Sequence, residues 1–193
     1  MNYSKWYNPL LREAKRELAK APKISPIHKI DHILRVWRTS EKLGKRLGAD
    51  MEVLIGAVML HDLARHYGLE IHGAESAKMA QPILSRLKFP DAKVDSVLDA
   101  ISKHDYTTSS KDRESVESKI LYDADKLDAF GYIGVLRHIQ FYYSKGMPID
   151  DILKMMKKRW KGVYLSESKK LGKGEFDFTY NFFVKLKEEI KED

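Results

Sequence analysis

Residues 53–65 read Val-Leu-Ile-Gly-Ala-Val-Met-Leu-His-Asp-Leu-Ala-Arg, an apolar run that ends on a histidine and an aspartate. Its apolar positions recur at three- and four-residue spacing, which is the period of one face of an α-helix. The stripe consists of Val53, Leu54, Ala57, Val58 and His61. Asp50 precedes the run and is a favourable N-cap. The segment therefore predicts a helix, through about Arg65, whose inward stripe ends on an imidazole.

The same spacing continues on both sides of this run, and alternation of β-branched residues is almost absent, so we predict an all-α, single-domain helical bundle. Further helices are predicted over 4–20, 26–47, 72–87, 91–104 and 115–144, the last one bent near Gly131 and Gly134. Another begins at 146–150, and a closing helix carries Phe178, Phe182, Leu186 and Ile190. Pro22 and Pro26 mark a linker, and residues 106–114 and 169–174 are expected to be loops.

The composition limits the function classes. A chain of 193 residues without repeats fits one domain, 1–193. The absence of cysteine excludes disulfides, thiolate metal sites and a cysteine nucleophile, so a metal must be held by histidine and carboxylate. No apolar run approaches the roughly 20 residues of a membrane span, and we expect a soluble, cytoplasmic protein without membrane contact. The net charge of +7 is compatible with a polyanionic partner.

The candidate functional residues interrupt apolar stripes. His32 interrupts the second predicted helix, His61-Asp62 ends the third, and Asp123, Asp125 and Asp128 crowd an apolar stretch. Buried carboxylates are costly unless a cation or a hydrogen-bond network compensates them. Two imidazoles with two carboxylates form a set of ligands that suits several divalent metals. The His-Asp dipeptide alone says little about function, since it occurs a second time at His104-Asp105.

The ordered set of motifs is far more specific. His28-Lys-Ile-Asp-His32-Ile-Leu-Arg35-Val36 is followed by Val58-Met-Leu-His61-Asp62-Leu-Ala-Arg65. Then come Ile71-His72-Gly-Ala-Glu-Ser-Ala, Ala100-Ile-Ser-Lys-His104 and Asp123-Ala-Asp125-Lys126-Leu-Asp128-Ala-Phe-Gly131. Over residues 26–140 this order resembles the HD-domain superfamily of metal-dependent phosphohydrolases. The C-terminal helices, 148–191, are expected to cover or flank the site.

The resemblance implies a set of four metal ligands: His32, His61, Asp62 and Asp125. The bound ion is a divalent metal whose identity the sequence leaves open among Mn, Ni, Co, Fe, Zn and Mg. Such an ion lowers the pKa of bound water and polarises a phosphoryl oxygen, so hydrolysis needs no protein nucleophile.

Cationic and polar residues beside these motifs are candidates for contact with the substrate. Arg65, four residues after His61, is expected on the same helical face and suited to clamping phosphate oxygens. The nucleotidase branch of the superfamily carries a Glu there, so this chain departs from that pattern. The substrate-binding candidates are Arg35, Arg65, His72, His104 and Lys126; the catalytic candidates are Arg65, Lys126 and Asp128. Asp128 is expected to orient a ligand or pair with a nearby cation. In some branches the positions of His72 and His104 bind a second metal, although we favour one ion.

The predicted function is hydrolysis of a phosphate ester or anhydride in a small substrate, with a nucleotide favoured. One alternative is a sensory or nucleic-acid-binding module whose metal is structural, although no known nucleic-acid-binding motif supports it. Another is a di-iron oxygenase on the same fold. The expected partner is the small phosphorylated substrate, nucleic acid is not favoured, and a homodimer stays open.

Overall fold

A computed structural model describes residues 3–20, 30–67, 71–105 and 113–190, except for the side chain of His66. These parts of the chain contain helices and turns without strands, which confirms the all-α prediction. The helices are α1 (Tyr7–Lys20), α2 (Ile30–Leu47), α3 (Met51–Leu60), α4 (Gly73–Arg86), α5 (Asp91–Ser102), α6 (Val116–Leu127), α7 (Gly131–Phe141), α8 (Ile149–Lys161) and α9 (Ser166–Ile190). None of these described helices has the length and apolarity needed to cross a membrane.

The chain divides into two compact units, Met1–Tyr122 and Asp123–Asp193, and α6 crosses the division. The single domain over 1–193 and the placement of the C-terminal helices at the site therefore stay predictions. The predicted linker around Pro22 and Pro26, the start of the second helix before Ile30 and most of the loop over 106–114 lie outside the described residues.

Helix α3 is the centre of the first unit and packs against α1, α2 and α5. All of its residues from Glu52 to Leu60 are buried. The N-cap prediction holds, because Asp50 accepts hydrogen bonds from the backbone N–H groups of Glu52 (2.9 Å) and Val53 (3.3 Å). The extent of the helix is wrong, since α3 ends at Leu60 and turns follow as far as a 3₁₀ turn at Arg65–Tyr67.

The second unit differs more from expectation. The predicted long helix over 115–144 is two helices, because the chain turns at residues 128–130 and Gly131 adopts a left-handed φ of 76°. The predicted loop over 169–174 is wrong, because these residues lie within α9, where Gly172 is buried. The closing helix presents a different face to the core: Phe183 is fully buried, whereas Phe178 and Phe182 are 41% and 36% exposed.

Burial of His138 in α7 predicts a pH-dependent stability. The ring donates its Nδ1–H to the carbonyl of Gly134 at 2.7 Å, and burial lowers its pKa to about 4. In the unfolded chain the same side chain binds a proton near pH 6.5. The free energy of unfolding is therefore unaffected by His138 above that pH and declines as the pH falls towards 4, because the unfolded state binds the proton more tightly. Between pH 7 and pH 5 we expect the protonation of His138 in the unfolded chain to lower the free energy of unfolding by about 2 kcal/mol.

Chemical denaturation at both pH values measures this loss. In His138→Gln the difference between pH 7 and pH 5 should shrink by about 2 kcal/mol, since the titrating ring is gone. An unchanged pH dependence in that variant would show that His138 does not titrate as its burial requires.

Candidate metal site

The end of α3 delivers His61 and Asp62 into the interior. His61 is fully buried, Asp62 is 4% exposed, and the His61 ring donates its Nδ1–H to the carbonyl of Val58 at 2.8 Å. That donation fixes the tautomer of neutral His61 and leaves a lone pair on Nε2, the atom that lies 3.6 Å from Oδ1 of Asp62. The pair therefore presents an imidazole nitrogen and a carboxylate oxygen to the same small volume.

Helix α2 contributes His32 to the same point. Its ring is 1% exposed, and its Nε2 lies 3.4 Å from Oδ2 of Asp62. Ligand atoms of His32, His61 and Asp62 all lie within 4.8 Å of one another. An electron-rich Nε2 of His61 facing a carboxylate oxygen in a buried site is stabilised by a cation, and two imidazoles with one carboxylate are typical ligands of divalent transition metals. The residues present fit a divalent metal.

His72 and His104 extend the cluster around Asp62. His72 immediately precedes α4, and its Nε2 donates to Oδ1 of Asp62 at 2.7 Å. His104 follows α5, donates its Nδ1–H to the carbonyl of Ile101 at 2.6 Å and brings its Nε2 to 3.0 Å from that of His72. Asp62, His72 and His104 form a second set with ligand atoms within 4.8 Å, so Asp62 belongs to both sets.

The imidazoles control the charge of Asp62. Burial alone would raise the pKa of this carboxyl, but the neighbouring rings of His61, His104 and His72 hold it well below its usual range. For His72, burial alone would lower the pKa of the ring, and the carboxylates of Asp62 and Asp105 raise it instead. The site therefore keeps a buried carboxylate ionised, which is the state that a metal ligand requires.

Arg65 follows His61 and Asp62 in the chain, but it does not lie on the helix where it was predicted. It lies in the 3₁₀ turn after α3 rather than one helical turn beyond His61, and its side chain is half-buried. Its positive charge adds to the lowering of the Asp62 pKa and partly opposes the rise in the pKa of His72. Arg35 lies in α2, one turn after His32, and is also half-buried. The contacts of both arginines with phosphate stay predictions.

Asp123 near the end of α6 is fully buried, whereas Asp125 and Asp128 are half-buried, and each of the three acids has a compensating partner. Asp123 accepts backbone N–H groups of Tyr164 (2.8 Å) and Leu165 (2.9 Å), while burial raises the pKa of its carboxyl. The ammonium of Lys126, which is 3% exposed, lies 2.7 Å from Asp125.

Asp128 forms an ion pair with Arg137 at 2.7 Å, a partner that sequence analysis did not name. Asp125, Lys126 and Asp128 belong to the second unit, so their roles stay predictions.

Sequence reasoning missed three buried residues around the cluster. Asp105 contacts His72 and the start of α4, and Arg113 donates to the backbone carbonyls of Lys103 and Asp105. Ser76 accepts the backbone N–H of Ala64 at 3.1 Å. The only signal for Asp105 was its place after His104 in a dipeptide that chance also produces, and the two others had none.

The order of these side chains in one buried cluster agrees with a known family. A family model described as HD domain matches residues 30–129. The chain belongs to the HD-domain family. Membership and the buried His/Asp cluster together support a metal-dependent hydrolase.

Known proteins are similar over different lengths. An uncharacterized protein of Bacillus subtilis, YpgQ, is 25% identical over 126 residues, which are 62% of this chain and 59% of YpgQ, so the match spans about three fifths of that relative. A predicted HD-superfamily hydrolase from an uncultured Thermotogales bacterium has a TM-score of 0.68 at 25% identity, covering 99% of this chain and 100% of its own. A Bacillus thuringiensis HD-superfamily hydrolase, with a TM-score of 0.76 at 22% identity and 97% of both chains covered, shares the fold.

Proposed function

We propose that this protein is a metal-dependent phosphohydrolase whose substrate is a small phosphorylated molecule, with nucleotides the first class to test. The observation that carries the proposal is the convergence of His32, His61 and Asp62, all buried, with ligand atoms within 4.8 Å of one another. Asp125 is the fourth ligand in this proposal, on the strength of its place in the motif order. The solved complex of Bacillus subtilis YpgQ with ADP, at 20% identity and a TM-score of 0.70, supports testing nucleotides.

The chemistry that a divalent ion supplies in such a site is polarisation of a phosphoryl oxygen and acidification of water. The residues of the chain bind the ion and orient the substrate. The carbonyl of Val58 holds the Nδ1 proton of His61, which keeps Nε2 available as a ligand. Arg65 is proposed to clamp phosphate oxygens, because a guanidinium offers two parallel donors and its charge already acts on Asp62. Lys126, Arg35 and His104 are the further candidates for substrate contact.

The test combines metal content with turnover. Protein purified without chelators should retain a divalent metal at a stoichiometry near one, and should release phosphate or pyrophosphate from members of a nucleoside mono-, di- and triphosphate panel. Asp125→Ala should remove most of this turnover, while Asp177→Ala, on the surface of α9, should keep it within about twofold.

Four results would contradict the proposal. Protein that holds no stoichiometric metal would exclude it, and so would an Asp125→Ala variant with unchanged turnover. Salt-dependent retention on oligonucleotides without any hydrolysis would favour the binding module instead. Two irons per chain would favour the oxygenase.

A further inference from the structure

Asp105 lies directly after His104, in the turn that follows α5, and its carboxylate contacts the start of α4. Its Oδ2 accepts the backbone N–H groups of His72 (2.9 Å) and Gly73 (2.5 Å). Its Oδ1 lies 3.2 Å from Nδ1 of the His72 ring. One carboxylate therefore holds both the backbone and the ring of His72.

The opposite edge of the same ring faces Asp62. The distance from Nε2 of His72 to Oδ1 of Asp62 is 2.7 Å, so the imidazole is held between two carboxylates. Each ring nitrogen of His72 thus has a carboxylate oxygen within 3.2 Å, Oδ1 of Asp62 beside Nε2 and Oδ1 of Asp105 beside Nδ1. A rotation of the ring would break contacts on both edges, and the orientation of His72 is therefore fixed.

Asp105 is itself held firmly. Arg113, 2% exposed, donates Nε–H to the carbonyl of Lys103 at 2.5 Å and a second N–H to the carbonyl of Asp105, and its guanidinium lies 4.1 Å from the ring centre of Tyr122. The helix start also approaches closely, because a Cβ added to Gly73 would come within 2.9 Å of Oδ2 of Asp105. The backbone of Asp105 is thus held by Arg113, and its carboxylate packs against the start of α4.

We propose that Asp105 is a positioning residue that acts through His72. By fixing the ring, it keeps Oδ1 of Asp62 engaged with Nε2 of His72, while Oδ2 of Asp62 faces His32. The inference rests on the proposed function, since its purpose is to present Asp62 to a divalent ion. It gives His72 a task distinct from the substrate contact predicted for it. Contacts that orient metal ligands in this way typically change metal affinity by about 10- to 100-fold.

The test is a double-mutant cycle on Mn²⁺ affinity, measured by titration calorimetry. Asp105→Asn keeps the size of the side chain and an oxygen for the start of α4, but removes the charge that faces His72. It should weaken Mn²⁺ binding by about 10- to 100-fold. In the His72→Gln background the same change should cost less than about threefold, because the intermediary ring is already absent. Equal losses in both backgrounds, or no loss in either, would overturn the inference.

The matched control is Asp99→Asn, which removes a carboxylate from the exposed side of α5 and should leave affinity within about twofold. If Asp105→Asn does not fold, Asp105→Ser takes its place, because its hydroxyl still accepts from the start of α4.

A second readout needs no metal. In protein labelled with ¹⁵N-histidine, the ring N–H signals of His72 should shift in Asp105→Asn and stay unchanged in Asp99→Asn. Unchanged signals in Asp105→Asn would overturn the contact itself. If the wild type binds Mn²⁺ and Asp105→Asn binds it equally well, the inference fails while the proposed function stands. If the wild type binds no Mn²⁺, the proposed function fails, and the ring signals alone decide whether Asp105 positions His72.

Discussion

Asp62→Asn is expected to lower divalent-metal affinity by at least about 100-fold and to reduce hydrolysis to near background. Asp62 is the shared member of both His/Asp sets, and its two oxygens face His32 and His61 at 3.4 and 3.6 Å. Asparagine keeps the shape, but it is neutral and offers one oxygen where the carboxylate offers two. Equilibrium dialysis with Mn²⁺ and phosphate release from the nucleotide panel measure the two losses.

Asp91→Asn is the control for this result. Asp91 is exposed in the first turn of α5, outside the cluster, so the variant should bind Mn²⁺ within about twofold of the wild type. An Asp62→Asn variant that binds and turns over as the wild type does would remove Asp62 from the metal site and, with it, the observation on which the proposed function depends.

Gly134→Ala is expected to destabilise the second unit by about 3 kcal/mol, although alanine normally favours a helix over glycine. A Cβ added at Gly134 would overlap the carbonyl oxygen of Ala129 and lie 2.6 Å from its carbonyl carbon. These are backbone atoms in the turn before α7, so relief requires the chain itself to move. Chemical denaturation of the variant beside the wild type measures the loss.

Gly174→Ala, in α9, is expected to change stability in the opposite direction. Nothing lies within 4 Å of a Cβ added there, and the residue is exposed within the helix. The variant should therefore gain about 0.5 to 1 kcal/mol from helix propensity alone. Two variants that shifted stability in the same direction would refute the packing argument at Gly134.

The helices of the first unit could be predicted from the sequence because their signals are local. Asp50 caps α3 as its position before an apolar run indicates, and the stripe ending on His61 is buried as predicted, although the other faces of α3 are buried as well. The meeting of His32 with His61 and Asp62 could be expected because each polar residue interrupts an apolar stripe. Motif order added what periodicity alone could not, namely which interruptions belong together.

The failures have physical causes that the local pattern does not contain. The basic residues and glycines at 169–174 indicated a loop, but tertiary packing makes them helical, and Gly172 permits the close approach of Leu127. The bend predicted near Gly131 is a break between two helices, because Gly131 takes a left-handed conformation that spacing cannot reveal. Asp105 was missed because its partners, the backbone of His72 and Gly73, are more than thirty residues away in sequence.

The complete burial of α3 affects how readily the backbone before His61 and Asp62 opens locally. Because residues 52–60 are all buried, no solvent-facing edge allows this helix to fray independently of its neighbours. Its amides belong to the class that exchanges with solvent only when the surrounding core opens. His61 and Asp62 follow directly on this helix, so we expect the two residues to keep their places until the core around α3 opens.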